Sequence, residues 1–241
     1  MSSKADHDRK STADLLKGIP ASRVNDCWAV DHLLLPVEVQ HPQTDQVTRP
    51  WLTTVTDCYS RCILGVWVDA QPPSSASVLN GLRDAMMPMR SMPDREQEGV
   101  RFRDRHGIPT CLAMDRTKGL EKEGLTRVSE ALGFSVLFHP PRKSWLQEKL
   151  GGWFGRLRVR ALDDPPYALA YEWPDRQRPA RVKLPVFALQ SVRGMVDCFI
   201  EDYHQQKQRS LGSTPTEKWE EGIKEVRIVT VPRPVLAQVL A

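Results

Sequence analysis

Three things are scarce in this chain of 241 residues. The first is paired cysteine. Cys27, Cys58, Cys62, Cys111 and Cys198 make an odd set of five, with no CxxC pair and no histidines at zinc-finger spacing. That excludes a disulfide scaffold and a zinc finger, and predicts reduced thiols in the core of a cytosolic protein. The second is a long apolar run. Nothing approaches the roughly 20 residues that span a bilayer, and the N-terminus Met1-Ser2-Ser3-Lys4-Ala5-Asp6 lacks the apolar segment of a secretion signal. A cytoplasmic location with no membrane partner is the expectation. The third is an excess of one charge. With 34 basic and 30 acidic side chains the net charge is only +4, so contact with nucleic acid must come from local arrangement.

The length suffices for a substantial core without staples. Its organising stretch is Trp28 to Asp69. Trp28-Ala29-Val30-Asp31-His32-Leu33-Leu34-Leu35-Pro36-Val37 reads as a buried central strand carrying one carboxylate. An unpaired charge there costs several kcal/mol, so Asp31 is either salt-bridged or hydrogen-bonded to a turn, or it is a metal ligand. Residues 38–50 read as a loop, 50–57 as a second strand, 58–60 as a turn and 61–69 as a third strand, giving a three-strand meander. Pro72 to Ser77 supplies a break and a serine N-cap, and Val78, Leu79, Leu82, Ala85 and Met86 then recur at helical spacing.

Farther on, residues 88–106 form a charged surface insertion. Ile108 to Asp115 is a short apolar strand ending on an acid, Leu120, Leu125, Val128 and Leu132 mark a helix, and Phe134 to Phe138 another strand. This β-α-β order places Asp115 at the carboxyl end of its strand, where open α/β sheets collect their sites, and makes it a neighbour of Asp31. Residues 163–185 read as an extended loop, Val186 to Gln206 as a helix, and Ser213 to Trp219 as a short capped helix. Residues 1–24 are a polar N-terminal segment, and 223–241 a tail that begins a module it does not complete.

Taken together, Trp28-x-x-Asp31, Arg49-Pro50-Trp51-Leu52-Thr53, Asp57-x-Tyr59-Ser60-Arg61-x-Ile63-Leu64-Gly65, Pro73-Ser74-x-x-Ser77-Val78, Gly107-Ile108-Pro109, Leu132-Gly133-Phe134, His139-Pro140-Pro141, Gly152-Trp153-Phe154-Gly155-Arg156-Leu157 and Leu211 to Trp219 resemble the catalytic domain of the DDE transposases and retroviral-type integrases. The likeness is greatest to the Mu- and Tn7-type transposase branch and covers residues 26 to 222. It implies an α/β fold, a ribonuclease-H-like core whose five-stranded mixed sheet joins a three-strand antiparallel meander to two parallel strands, flanked by helices.

The resemblance also implies chemistry. Strand transfer and DNA hydrolysis are in-line displacements at phosphorus, served by two Mg²⁺ (or Mn²⁺) ions about 4 Å apart held on carboxylates. By that likeness Asp31 bridges both ions, Asp115 binds one, and a glutamate on the following helix binds the other. Here the sequence departs from the family. Setting Trp153-Phe154-Gly155 on the family's aromatic group puts Gly151 at the glutamate position, and the nearest acid is Glu148, three residues earlier and about 5 Å along a helix. Asp115 is followed by Arg116, where the family has Asn-Gly. Arg116, Lys118, Lys143, Arg156 and Arg158 are the candidate phosphate contacts.

Two function classes follow. One is a metal-dependent polynucleotidyl transferase that nicks and joins double-stranded DNA at transposon ends and target, using Asp31, Asp115 and Glu148. The other is an inactive core of the same shape that binds DNA or partner recombination proteins. A third reading is an unrelated ribonuclease-H-like nuclease, which would share the acids but not the tags around Tyr59-Ser60-Arg61 and Pro215. Assembly as a homo-oligomer or with partner transposition proteins is expected of the first two.

Overall fold

A computed structural model describes residues 21–44, 46–87, 105–115, 122–139 and 186–240. Its strands are β1 (Cys27–Leu34), β2 (Glu38–Gln40), β3 (Val47–Thr48), β4 (Trp51–Asp57), β5 (Ile63–Asp69), β6 (Cys111–Asp115), β7 (Ser135–His139) and β8 (Val186–Phe187). The helices are α1 (Ser75–Met86), α2 (Lys122–Leu132), α3 (Leu189–Gln205), α4 (Pro215–Gly222) and α5 (Arg233–Val239).

The main sheet runs β5-β4-β1-β6-β7. β1 pairs antiparallel with β4, and β4 with β5; β1 pairs parallel with β6, and β6 with β7. This is the mixed five-stranded sheet that the sequence predicts. Alternation along each strand sends successive side chains to opposite faces. On one face Trp28, Val30, Leu112 and Met114 pack with Val78, Leu82 and Ala85 of α1 and Leu125 and Val128 of α2. On the other, Leu33, Leu52, Val66 and Val68 pack with Val192, Val196, Phe199 and Ile200 of α3. The first core also takes in Leu236 and Leu240, from the region of α5.

Caps define the helix starts. Ser74 and Ser77 form a capping box at α1, and Thr214 and Glu217 do the same at α4, where Pro215 supplies a preset φ. At the outer edge of β5 the Val66 N–H donates to Asp84 Oδ2 of α1 at 2.9 Å. Arg193 of α3 reaches the other oxygen of Asp84 at 4.0 Å and lies over the Trp67 ring.

The turn after β4 joins the sheet to the end of α3. Asp57, fully buried, accepts from the Asn25 N–H at 2.9 Å, the Ser60 N–H at 2.7 Å and the Ser60 hydroxyl at 2.6 Å. Arg61 follows in a left-handed conformation (φ 63°). Its guanidinium donates to Ser210 Oγ at 2.6 Å and its carbonyl accepts from the Tyr203 hydroxyl at 3.1 Å. His204 Nε2 accepts from the Ile63 N–H at 2.8 Å. The tag Tyr59-Ser60-Arg61 is therefore an anchoring turn.

Three sequence expectations change. Residues 38–50 contain β2 and β3, which with β8 make a second sheet in the order β3-β2-β8. The helix expected from Val186 begins at Leu189, because Val186 and Phe187 pair with Glu38 and Val39 instead. Cys198 is exposed, not core, since the buried stripe of α3 runs through Val192, Val196, Phe199, Ile200 and Tyr203. No described helix is long and apolar enough to cross a membrane.

Two consequences for stability are measurable. A Cβ on Gly65 would meet the Gly81 carbonyl oxygen and come within 2.7 Å of the Ala85 backbone nitrogen, so Gly65→Ala overpacks the contact between β5 and α1. Thermal unfolding followed by circular dichroism should show its midpoint lowered by about 3–10 °C, from an overpacking cost of about 1–3 kcal/mol. Gly81→Ala, whose Cβ would find Val55 Cγ2 at 3.3 Å, should change it far less.

Burial pushes the Asp57 carboxyl up to about 6, against the lowering effect of the Ser60 and Asn25 hydrogen bonds. The folded chain then binds the proton more tightly than the unfolded one, so this group's contribution to stability falls as pH rises between about 4 and 6. Asp57→Asn turns an amide N–H₂ toward donors and should be the less stable protein at pH 4. Its deficit should narrow by up to about 3 kcal/mol by pH 7, because only the wild type ionises; a deficit that widens with pH in denaturant titrations would contradict this.

Candidate active site

The candidate site forms where β1 and β6 run side by side. Their register pairs Cys27 with Cys111 and proceeds to Val30 with Met114. One further step on each strand brings Asp31 level with Asp115. Residues level on adjacent parallel strands, about 4.8 Å apart, send their side chains to the same face. Both aspartates are half-buried. Asp115 is the last residue of β6, so the pair sits at the carboxyl end of the parallel half of the sheet.

Around the pair the sheet is small and polar. Ala29 and Ala113, two residues back on each strand, add no bulk. On the other flank Thr54 of β4 is the Cα partner of Asp31. Thr54 is fully buried, and its hydroxyl has no hydrogen-bond partner among the described residues. A buried hydroxyl without a partner costs about 1–3 kcal/mol, which marks a position where an added polar group would be welcome. On the opposite face His32 Nδ1 lies 3.0 Å from Thr53 Oγ1, and burial pushes its imidazole down to about 4. The ring is neutral at pH 7 and brings no cation to the pair.

Two carboxylates and a hydroxyl are hard oxygen donors of the kind that Mg²⁺ or Mn²⁺ prefers over softer ligands. The residues present therefore fit a divalent cation. Among the described residues no three histidine, cysteine, aspartate or glutamate side chains are grouped so as to hold a metal ion. Glu148 and Gly151, and the candidate DNA contacts Arg116, Lys118, Lys143, Arg156 and Arg158, lie outside the described residues.

Sequence reasoning singled out Asp31 and Asp115 but passed over Thr54. Its signal was the run Thr53-Thr54-Val55-Thr56, three threonines on a strand flanked by others and so buried on both faces. Asp57, the other buried acid, is spent on its turn, and its strand position is opposite Trp28, three residues before Asp31.

The described residues and their order have counterparts in known proteins. Residues 29–166 match the family described as the TnsB C-terminal domain. The transposase for transposon Tn552 from Staphylococcus aureus is 24% identical over 208 residues, which are 86% of this chain and 39% of that protein. This chain thus spans about two fifths of the relative's length. In a cryo-EM structure of the simian T-cell lymphotropic virus intasome with the PP2A regulatory subunit B56 gamma, one chain overlaps with a TM-score of 0.46 and 12% identity. The overlap covers 89% of this chain and 61% of that one, a likeness too loose to carry an inference. The family match takes in more than half of the chain, both aspartates included, and the chain belongs to the TnsB C-terminal domain family.

Proposed function

We propose that this chain is the catalytic core of a DNA transposase, a ribonuclease-H-like domain of the DDE class that nicks and joins double-stranded DNA. One observation carries the reading: Asp31 and Asp115 stand level on adjacent parallel strands, with the Thr54 hydroxyl beside them. Family membership and the transposase relative support it. The Mu/Tn7-type branch is the assignment that the sequence tags favour.

In this reading Asp31 and Asp115 hold Mg²⁺ or Mn²⁺, with Glu148 as the third carboxylate in place of the family glutamate where Gly151 stands. Such a cation, when bound, supplies the positive charge that activates the attacking oxygen and stabilises the leaving one in a displacement at phosphorus. The chain's own part is to fix ligand positions. Pairing on both sides makes β1 rigid, so Asp31 has one place to be, and the small, buried side chains of Ala29 and Ala113 put no bulk beneath the pair. The nucleophile is water in nicking and a DNA 3′-hydroxyl in strand transfer. Arg116, Lys118, Lys143, Arg156 and Arg158 contact phosphates, and the core at 25–222 works as a homo-oligomer or with partner transposition proteins.

The test is Mg²⁺- or Mn²⁺-dependent nicking and strand transfer on DNA carrying candidate transposon ends. Asp31→Asn and Asp115→Asn should each lower the rate by about 100-fold or more, with DNA binding retained. Glu148→Gln should do the same, and Gly151→Glu should gain nothing. Full activity in Asp31→Asn would sink the catalytic reading; an inert wild type revived by Gly151→Glu would make this a disarmed core.

A further inference from the structure

A second cluster of reactive side chains lies on the same two strands, at their other end. Cys27 opens β1 and Cys111 opens β6, and the two are Cα partners in the parallel register. Cys58 follows β4, and its backbone N–H donates to the Cys27 carbonyl at 2.9 Å. The three cysteines thus form a row across three neighbouring strands with Cys27 in the middle, packed together with Ala29 and Ala113. All are free thiols.

The row is polarised. Cys27 Sγ donates to the Trp28 carbonyl at 3.7 Å, and the neighbouring Cys58 thiol, and after it the Cys111 thiol, hold the Cys27 thiol below its ordinary value despite burial. Cys27 is therefore the thiol of the three best able to be a thiolate, and it is fully buried. Cys111 is only half-buried and lines an open cavity of about 380 Å³ with Ala21, Ser22, Asp26 and Thr110. A small oxidant can thus reach Cys111, with the buried Cys27 next to it on the adjacent strand. The spacing suits a cross-link: parallel strands run about 4.8 Å apart, inside the Cα separation of about 4.4–6.8 Å that a disulfide spans.

We propose that Cys111 and Cys27 form a peroxide-responsive dithiol, in which Cys111 is oxidised through the cavity and Cys27 closes a disulfide between β6 and β1. Burial pushes the Cys111 thiol up, so in the first step it is the minor thiolate fraction of Cys111, larger at alkaline pH, that attacks hydrogen peroxide; an S–O bond forms, the O–O bond breaks, and hydroxide leaves to become water. In the second the Cys27 thiolate attacks the Cys111 sulfur, the S–S bond forms, the S–O bond breaks, and a second water departs. Two thiols lose two electrons in all, and the peroxide gains them. Cys58 is a positioning residue, its thiol packed beside Cys27 and holding the Cys27 thiol below its ordinary value. The cross-link would tie together the two strands that carry Asp31 and Asp115, four residues upstream of each.

The other two cysteines take no part. Cys62 is buried, bonded to the Pro215 carbonyl and pushed up to about 12 by burial, and Cys198 is exposed on α3. Cys198→Ser therefore provides a clean background that retains four thiols. Treated with millimolar hydrogen peroxide and then assayed under denaturing conditions, it should lose two thiols per chain. Peptide mass spectrometry without reduction should show Cys27 joined to Cys111, and a phosphine reductant should restore both thiols. Adding Cys111→Ser should abolish the link and preserve the remaining thiols, whereas Cys58→Ser should keep the link but form it several-fold more slowly. An unchanged thiol count, a Cys27–Cys58 link, or Cys111 oxidised to sulfinic acid with no linked peptide would each overturn the proposal. The linked-peptide measurement on Cys198→Ser decides the matter even if Cys111→Ser misfolds, and none of these readouts depends on DNA chemistry.

Discussion

The fold and its candidate site both depend on β1 being paired on both sides. A strand hydrogen-bonded antiparallel to β4 along its length and parallel to β6 from Cys27 to Val30 has its register fixed twice over. A slip of one residue would turn Trp28 and Val30 out of one core and Leu33 out of the other, and would carry Asp31 to the opposite face. The hydrophobic patterning of the strand thus specifies where its one carboxylate points. Stability and site geometry are the same constraint seen from two sides.

The turn at Asp57 extends that constraint to the far end of the chain. Burial of its carboxyl is offset by three donors, one of which comes from Asn25, just before β1. Arg61, set left-handed by the turn, then binds residues nearly 150 positions away. The start of β1, the end of β4 and the end of α3 are locked through two adjacent charged residues. A polar network of this kind rigidifies and specifies the core when complete and is costly when broken.

The strands of the main sheet were legible because each is long enough to show its pattern, and the β-α-β order placed Asp115 at the carboxyl end of its strand, which the pairing of β6 with β1 then sets beside Asp31. The second sheet was hidden, since strands of two or three residues have no period to read. Its third member lies some 140 positions beyond the other two, so the pairing that turns Val186 and Phe187 into strand is invisible locally. The same holds for Asp57, whose role depends on Asn25, and for Arg61. Cys58, Cys27 and Cys111 looked like unrelated core thiols until the register set them in one row. Thr54 was overlooked for a different reason: threonine is common in strands, and what distinguishes it from Thr56, whose hydroxyl is likewise buried without a partner among the described residues, is its pairing opposite Asp31.

The contact between α1 and α3 at the rim of β5 has a consequence of its own. These helices cover opposite faces of the sheet, yet Asp84 and Arg193 meet around its outer strand, with Asp84 taking the Val66 N–H that would otherwise point away from the sheet. A side chain from within the molecule occupies a position that a foreign strand would need. Charge placed over an exposed rim is a recognised defence against runaway strand addition, and here it also fastens the two helical layers to each other. That margin is thus closed to indiscriminate β-sheet growth whatever the chain meets at its other surfaces.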